Sequence, residues 1–158
     1  MDVRFINPVL SSTVQTLEKM AALTPQVDKP VVKAGQVAEG CVTGLMRMNG
    51  RNVRGSIALS FSLPVIRQLV KVMLRMDIDS VDETASDLAG ELSNIVAGQS
   101  KTKLAESGLD IEMSLPAVLT GQGHKIDHQV EAPVILLPFT TASGKFFVEF
   151  CFKEIQEG

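Results

Sequence analysis

Asp87, Glu91 and Asn94 stand four and then three residues apart within the stretch DLAGELSNIVAGQSKTKL. Residues at these spacings share one face of a helix, so a helix here would carry two carboxylates and a carboxamide side by side. A carboxylate pairs with cations and accepts hydrogen bonds, whereas a neutral amide both donates and accepts. At ~100° per residue from Asp87, Glu91 falls near ~40°, Gly98 near ~20° and Asn94 near ~340°, with Gly90 and Ala97 beside the stripe. Leu88, Leu92, Ile95 and Val96 take the opposite arc, at roughly 80–180°. The helix thus has an apolar side for a core and a polar side whose surroundings are nearly bare backbone.

An ordinary solvated helix face is the plain alternative, but such a face favours long Lys, Glu and Gln side chains. This one carries two glycines, each costing about 1 kcal/mol relative to alanine in a helix interior. Close approach by something else would offset that cost. A carboxylate and an amide on flat ground suit docking against another protein's pocket, with Asp87, Gly90, Ala97 and Gly98 around Glu91 and Asn94.

The neighbouring sequence predicts the elements that hold this helix. Ser80 and Glu83 match a capping box, which starts it near Val81, and Gly108 is placed to end it. An earlier helix is expected from Asn7, with Pro8 at its first position and Leu10, Val14 and Leu17 as its apolar stripe. A loop, TPQVDKP, follows. A strand over 36–48 turns at Asn49-Gly50 and returns over 53–61, burying Val53, Ile57, Leu59 and Phe61. Ser62 and Pro64 open a helix that is apolar at Val65, Leu69, Val72 and Met76. Three strands close the chain: 111–119; 130–140, where Pro133 and Pro138 suggest an edge or bulge; and 145–153, entered by a turn at Ala142-Ser143-Gly144. The order α-β-β-α-α-β-β-β reads as an α+β domain with an antiparallel sheet. Leu10, Val14 and Leu17 share the spacing of Leu88, Leu92 and Ile95. This suggests a duplication in which Val9, Thr13 and Thr16 stand where the second helix has Asp87, Glu91 and Asn94. On that alignment Thr13 and Thr16 should be exposed.

Composition narrows the function. The 158 residues fit one domain, 1–158, and a chain 45% hydrophobic and 21% charged is globular. A net charge of −3 and the lack of Trp and Tyr argue against a nucleic-acid partner. No apolar run reaches the ~18 residues of a membrane span. The opening MDVRFINPVLSS has no basic segment leading into an apolar core, so the cytoplasm is expected. Cys41 and Cys151 lie in apolar strand-like stretches and read as buried thiols. His124 and His128 have a helical metal-pair spacing, but in a glycine-rich strand-like region that spacing does not converge the rings. No metal site is expected, and no nucleophile-His constellation is arguable.

The helix Asp87-x3-Glu91-x2-Asn94, continued as IVAGQSKTKL, resembles the D/S-x3-E-x2-N helix of the CheC/CheX/FliY phosphatases of bacterial chemotaxis. SLPAVLTGQGHKI (114–126) is similar to the strand and loop that follow it. FINPVLSSTVQTLEKMA (5–21) resembles the first helix of the CheX branch, the closer match because only one motif is present. The resemblance implies a CheC-like fold, an antiparallel sheet flanked by two long pseudo-symmetric helices, and a homodimer through that sheet. It implies hydrolysis of the aspartyl phosphate of the response regulator CheY or a related receiver domain, with Mg²⁺ and a lysine supplied by the receiver and no cofactor of the chain's own. Asn94 would hold the attacking water, Glu91 would pair with the receiver's lysine, and Asp87 would lie at the rim. The alternative is a receiver-binding or scaffolding module that does not catalyse. A third reading is an unrelated structural domain whose triplet is only a solvated face.

Overall fold

The computed structural model describes residues 3–155. Helix α1 (Val3–Ala21) leads into two short strands, β1 (Gln26–Val27) and β2 (Val31–Val32), and a long hairpin of β3 (Val42–Gly50) and β4 (Val53–Phe61). Helices α2 (Leu63–Leu74) and α3 (Glu83–Glu106) follow, then β5 (Ile111–Met113), β6 (Ala117–Thr120) and a second hairpin of β7 (Val134–Thr141) and β8 (Gly144–Glu154). All pairings are antiparallel, in the order β1-β7-β8-β4-β3-β5, with β2 also on β7 and β6 also on β3. The expected α+β class is what the chain adopts.

The order is close to palindromic. Each long helix is followed by a pair of short edge strands and then a hairpin, and each edge pair completes the other half's hairpin. β4 and β8 meet at the centre over the full run from Val53 opposite Glu154 to Phe61 opposite Phe146. The internal repeat is therefore real at the level of topology, and α2 is the extra element between the halves.

Strand alternation decides the core. Phe146, Val148 and Phe150 of β8 and Ile57, Leu59 and Phe61 of β4 point to the helical side and are buried. There Phe139 and Phe146 stack with ring centroids 4.7 Å apart. Each such side chain contributes roughly 1.5–3 kcal/mol by leaving water.

Several expected boundaries move. α1 starts at Val3 and keeps Pro8 inside, because Phe5 and Ile6 are buried and extend the apolar side. The first hairpin turns at Arg51 and Asn52, since Asn49 pairs with Arg54 and Gly50 remains in the strand. The 36–48 strand begins only at Val42, whereas the expected loop supplies β1 and β2. α2 buries Val65, Ile66, Leu69 and Val70 and leaves Val72 exposed, and it ends at Leu74, so Met76 lies beyond it and is exposed. The 111–119 strand is split, with Ser114, Leu115 and Pro116 between β5 and β6, while Met113 pairs with Met48 and Ala117 with Leu45. Pro138 lies inside β7, away from any free edge. Its carbonyl accepts from the Asp28 backbone N–H at 2.8 Å, so its missing N–H faces the break between β1 and β2. The neighbouring strand is interrupted where Pro138 has no donor to give.

The outer face of the sheet is covered by the segments 33–41 and 121–133. Ala38, Leu45, Ala58 and Ile126 form a small apolar cluster there. Beside it, fully buried Glu149 accepts from Lys33 Nζ at 2.7 Å and lies 3.0 Å from His128 Nε2. His128 Nδ1 is 2.9 Å from Ser56 Oγ. His124 lies 2.7 Å from both Thr43 Oγ1 and the Gly121 carbonyl. Both histidines thus bind the covering segments to the sheet. Cys41 and Cys151 are free, and burial pushes both thiols up, keeping them protonated.

Candidate docking face on the second long helix

α3 is fixed at both ends. Asp82 is its N-cap, its carboxylate accepting from the Ala85 N–H at 3.0 Å, so the helix begins two residues later than a Ser80 cap would place it. At the other end Gly108 takes a left-handed φ of 82°, and the Leu109 N–H reaches the Leu104 carbonyl at 2.9 Å. This is the termination that only glycine adopts without strain.

Along its length the helix is set close against the sheet. Ala85, Ala89, Ser93 and Ala97, spaced four apart, are all buried. Beneath them is Gly44 of β3, where a Cβ would come within 2.0 Å of Ser93 Oγ and 3.5 Å of the Ala89 carbonyl. Small residues on both partners let helix and strand backbones approach, which restricts how α3 can roll or slide. The sequence reading missed Gly44 and Ser93 as positioning residues. The run of small residues at four-residue spacing was the available signal.

The packing turns Asp87, Glu91, Asn94 and Gly98 outward, and all four are exposed. Among the described residues, no hydrogen bond or ion pair engages the side chains of Asp87, Glu91 or Asn94. A Cβ at Gly98 would meet nothing within 4 Å, so the surface there is open. Gly90 is half-buried, and a Cβ there would lie 3.2 Å from Val118 Cγ2 on β6. Ala97, expected on this face, is 5% exposed and belongs to the core. At ~280° on the wheel it has rotated under the helix, next to Ser93 and Val96. Ile95, expected on the apolar face, is only half-buried.

α1 carries no equivalent face. Thr13 and Thr16 are 1% and 2% exposed, and their hydroxyls donate to the Val9 and Ser12 carbonyls at 2.7 Å each. The buried positions of the two helices superpose at an offset of 80, with Phe5, Val9, Ser12, Thr13, Thr16 and Leu17 falling on Ala85, Ala89, Leu92, Ser93, Val96 and Ala97. The alignment on Leu10, Val14 and Leu17 was two residues out of register. In the corrected register Asp87, Glu91 and Asn94 correspond to Asn7, Ser11 and Val14. Ser11 is covered by Lys103 of α3, whose Nζ lies 2.6 Å from its hydroxyl and 2.8 Å from Gln15 Oε1.

Among the described residues no group of three or more His, Cys, Asp and Glu side chains is placed to hold a metal ion, and no helix is long and apolar enough to cross a membrane. What the face offers is a rigid strip with a carboxylate and an amide at fixed spacing and no bulk around Gly98.

Comparison with known proteins finds relatives of this chain by sequence and by fold. The family described as "Chemotaxis phosphatase CheX" matches residues 42–140. The "CheY-P phosphatase CheX" of Thermotoga maritima is 30% identical over 149 residues, 93% of this chain and 94% of that protein. A CheC-like superfamily protein from Shewanella sp. PV-4 superposes with a TM-score of 0.90 at 36% identity, over 97% of this chain and 99% of that one. The fold also matches that of a CheX–CheY–BeF3–Mg²⁺ complex from Borrelia burgdorferi, with a TM-score of 0.78 at 22% identity, over 95% of this chain and 98% of that one.

Proposed function

The chain belongs to the CheX family of chemotaxis phosphatases, and on that premise we propose that it accelerates hydrolysis of the aspartyl phosphate of CheY or a related receiver domain. The observation that carries this reading is the unengaged Glu91–Asn94 pair on a helix seated against β3. Naming of the Thermotoga relative for CheY-P, and of the Borrelia structure as a complex with CheY, supports the choice of partner.

The chemistry asks little of the helper. In hydrolysis the water oxygen bonds to phosphorus as the bond from phosphorus to the aspartyl oxygen breaks, and the proton shed by water passes to phosphate oxygen or solvent. Mg²⁺ and a lysine belong to the receiver, and the chain needs no cofactor of its own. What remains is positioning and charge. The Asn94 amide accepts from the water and donates to it or to the phosphate, holding the oxygen in line behind phosphorus. The Glu91 carboxylate pairs with the receiver's lysine and fixes the register of docking. Asp87 lies one turn before Glu91, at the rim. Gly98 leaves room for the receiver's loops, and half-buried Gly90 keeps the flank of the strip low. No general base is called on, and the two histidines are engaged on the outer face of the sheet.

In this reading 1–158 acts as one CheX-like domain, cytoplasmic and homodimeric. Exposed Val27, Val31 and Val32 on the β1–β2 edge support association through the sheet.

Glu91→Lys tests the docking role. It sets a cation against the receiver's lysine, so the dissociation constant for the phosphorylated receiver should rise at least ~10-fold, about 1.4 kcal/mol. Glu91→Ala should do less. Because Glu91 is exposed, both variants should melt with the wild type. Unchanged affinity in Glu91→Lys would remove the carboxylate from the interface, and a large loss of thermal stability would make it structural instead.

A further inference from the structure

The exposed strip from Asp87 to Gly98 is too small to dock a folded domain. From Asp87 to Gly98 the helix rises ~16 Å over its eleven steps, and a helix is ~10 Å across, a footprint of ~160 Å². Standard interfaces bury ~800 Å² per partner, and weak transient ones still several hundred. If the proposed function holds, the receiver must rest on a second element beside α3.

β6 occupies that position. It pairs with β3 so that Val118 lies opposite Gly44, the strand position directly beneath α3. Val118 Cγ2 is the atom that a Cβ at Gly90 would meet. β6 thus flanks the strip on the side of Gly90, which lies next to Asp87 and Asn94 on the wheel. The chain entering it reads Leu115-Pro116-Ala117-Val118, four apolar residues at the edge of the sheet. Leu115 is 80% exposed, the most exposed large apolar side chain among the described residues, and Val118 is 37% exposed. A run of this kind at an open edge, without a charge to guard it, invites a partner.

We infer that Leu115 and Val118 form an apolar shelf on which the receiver domain seats while Glu91 and Asn94 enter its active site. The inference rests on the function proposed above and adds the surface that sets affinity. The shelf touches receiver surface away from phosphorus, so it contributes equally to ground and transition states. Its loss belongs in KM, not in kcat.

The test uses Leu115→Ser, whose exposed position spares the fold, with Val118→Ser as a second variant and Leu115→Met as the conservative control. Phosphate release from the phosphorylated receiver gives KM and kcat, direct titration gives Kd, and light scattering gives mass. Each serine variant should raise KM and Kd about 10-fold with kcat and mass unchanged, and Leu115→Met should stay near wild type. Wild-type KM and Kd in both serine variants would overturn the shelf. So would a fall in mass with receiver affinity intact, because the shelf would then be a contact between copies of this chain. A wild type that binds the receiver without accelerating release would sink the hydrolysis reading alone, and the Kd comparison would still decide the shelf. A wild type that does neither would overturn both.

Discussion

Asn94→Ala is expected to abolish the acceleration of receiver dephosphorylation while leaving the complex with the phosphorylated receiver nearly as tight. In the proposed function the amide has one task, to place a water molecule, which confines its effect to the chemical step. Loss of such positioning typically costs ~10²-fold, which would bring a modest helper down to the receiver's own rate. The side chain is exposed and unengaged, so melting temperature and receiver affinity serve as internal controls and should stay at wild-type values. Asn94→Gln should be nearly as inactive, because its extra methylene moves the same amide by more than an ångström. Full activity in Asn94→Ala would mean that the water is held by another group.

A second large effect is on stability. Replacing Thr13 by Glu and Thr16 by Asn should destabilise the fold, although the duplication alignment placed both residues on the surface. Both are buried on the side of α1 that packs with α3, and Thr16 Oγ1 lies 3.4 Å from Gln99 Oε1. A carboxylate at 13 would be taken out of water, and an uncompensated buried charge costs about 3–5 kcal/mol. For a domain of this size that corresponds to a fall in melting temperature on the order of 10 °C. Thr13→Val, which keeps the shape and gives up only a local hydrogen bond, should lose far less. A graft that melts with the wild type would show that α1 can roll and that its burial is not fixed by α3.

These two outcomes mark where the sequence was legible. The α3 strip was readable because its signal is local: helical spacing puts Asp87, Glu91, Asn94 and Gly98 on one face, and they are there. The α+β order was readable from strand alternation and turn residues. What failed was whatever depends on a distant partner. Ala97 lies on the margin of the wheel, and only the approach to Gly44 decides that it turns inward. The apolar stripe of α1 pointed to Leu10, Val14 and Leu17, yet the packing with α3 buries Val9, Thr13 and Thr16 and leaves Leu10 and Val14 half-buried. Threonine can enter such a face because its hydroxyl returns to the carbonyl one turn back. β1 and β2 were hidden because strands of two residues have no period to read. The ion pair of Lys33 and Glu149 was equally silent, since residues 116 apart are joined only through the sheet. Pro116 and Val118 lay within a resemblance to a strand and loop, but their place beside Gly90 follows only from the β3–β6 pairing.

The central claim is that α3 lends a receiver domain the means to lose its phosphoryl group faster. The most direct measurement is the time course of inorganic phosphate release from a phosphorylated receiver in Mg²⁺, with this protein at saturation and with none. The rate should rise with added protein to a plateau well above the receiver's own. A rate that stays at the spontaneous value while titration shows the complex forming would contradict it and leave a binding module in its place.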